Sequence, residues 1–272
     1  MAHVISVANQ KGGVGKTTTV VNLAASLAVA EKRVLAIDMD PQGNLSSGLG
    51  YPKSIVGDHI YHVLMGEKDL AAVEVETELE FLKVVPAHPD LTGAEIELVE
   101  LSDRHRRLAD AIQPARDRFD YILVDCPPSL GLLTLNALVA ANAVLVPLQC
   151  EYYALEGLSH LLSTIGRVQA TFNPKLTLEG IVLCMYDKRM NLTRQVAAEV
   201  RQHFDGQVFD TVIPRNVRLG ESPSFGKPVL LYDIDSAGSR GYLQLAQELL
   251  GKHGETKGKR RLRSGTGEKR KR

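Results

Sequence analysis

The chain predicts an α/β fold, a doubly wound and mostly parallel sheet with helices on both faces. Three observations carry that reading. Short aliphatic runs without polar alternation recur at 3–8, 33–38, 119–125, 142–148, 178–185 and 208–213, as strands buried on both faces require. Helical stretches at 16–31, 151–172 and 191–205 separate them, and strand–helix alternation is the mark of a parallel sheet. Between the first run and the first helix stands a glycine-rich loop closing on Lys16-Thr17, the strand–loop–helix setting of a phosphate-binding loop.

Taken in order, the first element is His-Val-Ile-Ser-Val-Ala, a short buried strand, followed by Lys11-Gly12-Gly13-Val14-Gly15-Lys16-Thr17-Thr18. Glycines let backbone N–H groups converge on phosphate oxygens, and the next helix adds its positive end. Lys16 is placed to reach the β- and γ-phosphates and Thr17 to ligate Mg²⁺. The loop departs from the ordinary pattern, with Gln10 where a glycine is usual and a second lysine, Lys11, at its entrance. One lysine suffices for a loop that binds its own nucleotide, so Lys11 points to a phosphate held by another subunit. The second strand ends at Asp38, followed by Met39-Asp40-Pro41-Gln42-Gly43-Asn44. Asp38 and Asp40 lie two apart and so face the same side of an extended chain. One is expected to face the metal shell and the other the water that attacks the γ-phosphate. The run at 119–125 ends in Asp125, at the strand edge where open α/β sheets bind ligands. Asp125 reads as the Walker B acid, holding Mg²⁺ directly or through water. Alone it would read as a strand-end cap.

Composition agrees. With 272 residues, 44% hydrophobic content, 5% aromatic residues and no Trp, the core is aliphatic. No Pro/Ser-rich linker interrupts the first 250 residues, so one large domain over 1–251 is expected. There is no uncharged apolar run of 18 residues, and Met-Ala-His-Val-Ile leads straight into the first strand. Neither a membrane span, nor a signal peptide, nor an operator-reading extension is therefore expected. Cys126, Cys150 and Cys184 are odd in number and form no Cys-x-x-Cys pair, as reduced buried thiols in a cytoplasmic protein would be. Charge is uneven. The chain is neutral, but 252–272 carries ten Lys/Arg against Glu255 and Glu268. Such a tail reads as a disordered basic arm for nucleic acid or anionic lipid, or as a solubilising terminus.

The motifs at 11–18, 38–44 and 125–131 (Asp-Cys-Pro-Pro-Ser-Leu-Gly) resemble the deviant P-loop motifs of the ParA/Soj partitioning ATPases. So do Gln-Cys-Glu-Tyr-Tyr-Ala-Leu-Glu-Gly at 149–157 and Val-Ile-Pro-Arg-Asn-Val-Arg-Leu at 212–219. The similarity runs from about residue 3 to 250. It implies an ATP-dependent homodimer in which two subunits sandwich two ATP molecules with Mg²⁺. Lys11 would cross to the partner's phosphates, and Gly12 would lie where the two loops crowd. Asp40 matches the acid that activates water, Thr17 the Mg²⁺ ligand, and Pro214 and Asn216 the segment framing adenine. Asn216 reads equally well as a helix N-cap. Arg189 and Arg218 match positions that contact double-stranded DNA without sequence preference, although the residues alone would read as surface charge. A ParB-type centromere-binding partner and a nucleoid-associated location follow from the resemblance. Two relatives compete. A MinD-like membrane-cycling ATPase would need an apolar helical face after Leu250, where the tail offers one large apolar residue, Leu262. The nitrogenase iron protein needs cysteines in another context. A monomeric ligase or kinase on the same scaffold would need a small-molecule motif that is not seen.

Overall fold

The computed structural model describes residues 1–254. The basic tail proposed from the sequence lies outside the described residues from 255 onward. Eight strands form one sheet in the order β3-β4-β2-β5-β1-β6-β7-β8. They are β1 (His3–Val7), β2 (Val34–Asp38), β3 (Val75–Glu76), β4 (Leu82–Val85), β5 (Tyr121–Asp125), β6 (Ala143–Gln149), β7 (Thr177–Tyr186) and β8 (Val208–Pro214). All neighbours pair in parallel except β3, which runs antiparallel to β4 at one edge. The six expected runs are all strands. The edge pair β3–β4 was not read from the sequence, because two- and four-residue strands are too short for a periodic signal.

Every residue of β2 and β5 is buried, which explains their unbroken aliphatic sequence. On one face Ile5, Val7, Val34, Ala36 and Leu123 pack with the helices Lys16–Val29 and Ala237–Lys252. On the other, Val4, Leu35, Ile37, Ile122 and Val124 pack with helices that include Ile60–Met65, Leu132–Ala140 and Ala154–Thr171. The first helix starts at Lys16 as expected and stops at Val29. The last helix runs through Lys252, whose ammonium lies 3.7 Å from the centre of the Phe209 ring. The C-terminal helix therefore continues one residue into the stretch read as tail. Because β1, β2 and β4–β8 are parallel, the loops after β1, β2, β5, β7 and β8 all emerge at one edge of the sheet.

Candidate nucleotide site

The loop after β1 is held from below. Asn9 is buried; its amide donates to the Pro147 carbonyl at 2.8 Å and its Oδ1 accepts from the Lys11 N–H at 3.0 Å. Gly13 and Gly15 have φ of +75° and +95°, a region that costs an L-residue roughly 1–2 kcal/mol. Gly15 is the N-cap of the helix that opens at Lys16, so that helix directs its unpaired first-turn N–H groups into the loop. Lys16 is buried, and its ammonium donates back to the Lys11 carbonyl at 3.1 Å. Burial lowers its pKa, while Asp125, Cys126 and Asp40 oppose that shift.

A cavity of about 630 Å³ opens above this loop, a volume suited to one nucleotide-sized ligand. Gly12, Gly13, Gly15, Lys16, Thr17 and Thr18 line one side. Asp40, Pro214 and Asn216 line others. Val14 is buried under the loop instead. Sequence reasoning missed several further wall residues, among them Asn44, Met185 and Tyr242. Met185 has φ of +49°, one of two non-glycine residues with positive φ among the described residues, a strain that persists where surrounding structure fixes it. Tyr242 arrives from the C-terminal helix, its hydroxyl 3.2 Å from that of Thr19. A separation of 223 residues leaves no local signal for that contact.

The acids at positions 38 and 40 stand in different surroundings. Asp38 is buried, and both of its carboxylate oxygens accept hydrogen bonds from the chain. Its Oδ2 accepts from the Ser46 N–H at 2.9 Å and the Ser46 hydroxyl at 2.6 Å, and its Oδ1 from the Asp40 N–H at 3.1 Å. The Ser46 hydroxyl in turn accepts from the Ala87 N–H. The turn after Asp38 ends the extended geometry that would have aligned the two acids, so Asp38 organises the loop and Asp40 alone lines the cavity. The Gln42 N–H donates to Asp40 Oδ1 at 2.9 Å. Asp125 is paired in register with Asp38 across the sheet and is fully buried. Both of its carboxylate oxygens lack a hydrogen-bond partner. Burial first, and then the neighbouring Asp38 charge, push its pKa well up; Thr17 and Lys16 pull the other way without a well-formed hydrogen bond to it. A buried carboxylate with two bare oxygens beside a threonine hydroxyl is a donor set that fits a hard divalent cation such as Mg²⁺.

Asn216 is the helix N-cap that the sequence allowed, and it also faces the cavity. Its side chain caps the helix Val217–Glu221 by accepting from the Arg218 N–H at 3.1 Å, and it lines the cavity. Lys11 stays outside the cavity, half exposed and ion-paired with Glu151 of its own chain. Arg189 and Arg218 follow neighbouring strands, joined where Tyr186 of β7 pairs with Pro214 of β8. Neither is a bare cation. Arg189 pairs with Asp187 at 2.7 Å, and Arg218 with Glu221 at 2.8 Å and Asp233 at 3.1 Å. The three cysteines are buried free thiols, and burial pushes the pKa of each up, which keeps them unreactive.

A glycine-rich loop at the C-terminal end of a central parallel strand, with a buried lysine and an orphaned strand-end carboxylate, defines a P-loop nucleotide-binding protein. The family model described as an AAA domain matches residues 2–178. The chain is 57% identical to the chromosome partitioning protein ParA of Myxococcus xanthus, over 92% of this chain and 88% of that one. It is 48% identical to the chromosome-partitioning ATPase Soj of Treponema pallidum, over 94% of this chain and all of the other. The chain thus belongs to the ParA/Soj family of chromosome-partitioning ATPases. Among solved structures it is similar to one described as cobyrinic acid a,c-diamide synthase from Mycobacterium smegmatis with bound ADP and magnesium. The TM-score is 0.82 at 38% identity, covering 94% of this chain and 96% of that one.

Proposed function

We propose that this ATPase works as a nucleotide-gated dimer on DNA. The observation that carries the proposal is Lys11. Lys16 already serves the cavity from within, whereas Lys11 stands outside it, paired with Glu151, and is free to serve a phosphate on a neighbouring molecule once that pair opens. Two features support the same face. A Cβ built on Gly12 would meet nothing within 4 Å, and its φ lies outside the left-handed region. Nothing within the chain therefore fills the space beside Gly12, which leaves room for a close approach by another loop. Tyr152 and Tyr153, next to Glu151, are 78% and 68% exposed, as aromatic residues awaiting a partner are.

In this reading Gly12, Gly13, Val14, Gly15, Lys16, Thr17 and Thr18 cradle the phosphates of ATP, while Pro214 and Asn216 frame the adenine. Thr17, Asp40 and Asp125 would hold Mg²⁺, Asp125 directly or through water. Bound Mg²⁺ supplies charge neutralisation at the β- and γ-phosphates. Asp40 orients the water that attacks the γ-phosphorus as ADP leaves, and Lys16 with the partner's Lys11 stabilises the spreading charge. The dimer aligns Arg189 and Arg218 of both subunits along one duplex, contacting phosphates without reading sequence. The basic tail adds charge-based attraction. A ParB-type partner stimulates hydrolysis and releases the dimer, which cycles between cytoplasm and nucleoid.

The experiment is mass measurement by light scattering after size exclusion, with ATP or ADP, with and without duplex DNA. A dimer that forms with ATP and is lost in Lys11→Ala supports the proposal. A monomer in every state would refute it, and would favour a small-molecule activity of the kind named for the Mycobacterium relative. No helix among the described residues is long and apolar enough to cross a membrane. Vesicle co-sedimentation set against DNA shift, each with ATP, separates the present reading from a membrane-surface cycle.

A further inference from the structure

We propose that His3, Glu179 and His253 form a second, metal-binding site for a zinc-type divalent ion. It lies at the edge of the sheet opposite the nucleotide. His3 opens β1, Glu179 is near the start of β7, and His253 follows the last residue of the C-terminal helix. Their donor atoms all lie within 4.8 Å of one another. His3 Nε2 is 2.8 Å from Glu179 Oε2, and His253 Nε2 is 3.2 Å from Glu179 Oε1. Two imidazoles and a carboxylate are the donors zinc takes, at about 2.0–2.2 Å, leaving a fourth tetrahedral position for water.

Two independent features show a built arrangement. The pairing of β6 with β7 steps from Val144–Leu178 to Leu145–Gly180, so Glu179 is the extra residue of a bulge. Bulges re-aim side chains where a site requires it. Gly180 takes φ of +153°, and a Cβ there would lie 2.6 Å from the Phe209 ring, so only glycine permits this close turn. The second feature is Tyr121. Its hydroxyl is 2.9 Å from His253 Nδ1, the outer hydrogen bond that sets the tautomer and ring angle of a ligating histidine. With Nδ1–H donating to the phenol oxygen, the Nε2 lone pair is turned to the metal. The Glu179 side chain is 7% exposed, while those of His3 and His253 are 33% and 20% exposed. The carboxylate is thus anchored and the imidazoles leave an entry path. Bound there, the ion would tie the end of the C-terminal helix, at the root of the basic tail, to β1 and β7.

The test uses the full chain without an affinity histidine tag, stripped with EDTA and held in excess Mg²⁺ so that the nucleotide site is not available to zinc. Calorimetric titration with Zn²⁺ should give one ion per chain. Co²⁺ should give the visible bands of a four-coordinate ion without a thiolate charge-transfer band. Glu179→Gln and His253→Gln should each weaken Zn²⁺ binding at least about tenfold, and Tyr121→Phe, which keeps the buried ring, about 10–100-fold. Circular dichroism checks that each variant is folded. His59→Gln is the control, since His59, His88 and Asp90 make a separate group. Absence of stoichiometric uptake by the wild-type chain, unchanged uptake in folded Glu179→Gln and His253→Gln, or loss only in His59→Gln would overturn the proposal. If the two ligand variants do not fold, Tyr121→Phe and the wild-type cobalt spectrum decide it.

Discussion

Asp125 is a fully buried acid in register with a second one, Asp38. Its pKa is raised by burial and by Asp38, so the folded state holds the proton more tightly than the unfolded chain. The sign follows from linkage: this contribution to stability is greatest at low pH and is lost as pH rises above the unfolded carboxylate value of about 4. Asp125→Asn should therefore raise the melting temperature of the nucleotide-free chain at pH 7, by about 2–4 °C per kcal/mol relieved, and abolish its stabilisation by Mg²⁺-ATP. Melts from pH 5 to 8, with and without Mg²⁺-ATP, check this; a lower melting temperature for the variant would show that the charge is already compensated. The lysines should separate in the same way. Lys16→Ala should lose nucleotide binding, whereas Lys11→Ala should keep it as a monomer and lose the ATP dimer. Equal loss in fluorescent-nucleotide titrations would remove the cross-subunit role of Lys11. Asp40→Ala should retain ATP and dimerise but stall in single-turnover hydrolysis by a factor of at least about 10². Near-normal rates would mean that another group orients the water.

Among the elements that shape the cavity, the phosphate loop and the helix Val217–Glu221 fail differently. Gly12 is free of left-handed strain and has open space at its Cβ. Gly12→Val should leave the melting temperature within about 2 °C, since unhindered exposed changes cost within about 0.5 kcal/mol, while blocking the ATP-dependent mass shift. A variant that still dimerises would place the loop away from the interface. Asn216→Ala removes the cap of a five-residue helix, a loss of about 1 kcal/mol locally. Because the same residue lines the cavity, weaker adenine binding should accompany little change in global stability. The loop was legible because its chemistry is contiguous in sequence. The edge strands β3 and β4 were not, since neither is long enough to show a period.

For the whole molecule, the distribution of charge is the open variable. Arg218 is shared between Glu221 and Asp233, so a DNA phosphate would have to compete with two carboxylates for it. Arg218→Ala should lower ATP-dependent DNA binding and reduce the slope of log affinity against log salt by about 0.9 for each phosphate that is no longer neutralised. The cut that isolates the tail belongs after Gly254, because Lys252 packs on Phe209 and His253 joins Glu179. Removing 255–272 should flatten the salt dependence in both ATP and ADP while keeping the ATP switch. An unchanged slope would make the tail a solubilising terminus.

The sequence by itself determined the doubly wound sheet, the glycine-rich loop between the first strand and the first helix, and the family. These are carried by runs of neighbouring residues whose spacing dictates a local conformation. Tertiary structure decided that Asp38 is buried with both oxygens hydrogen-bonded, that Asp125 lies bare beside it, and that Tyr242 and Met185 line the cavity. It also decided that Arg189, Arg218 and Lys11 each meet a carboxylate, and that His3, Glu179 and His253 converge from three parts of the chain. The physical reason is common to all of these. Burial and charge pairing depend on which strand lies beside which and on what packs over it, and a linear pattern carries the period of each element but not the identity of its neighbours.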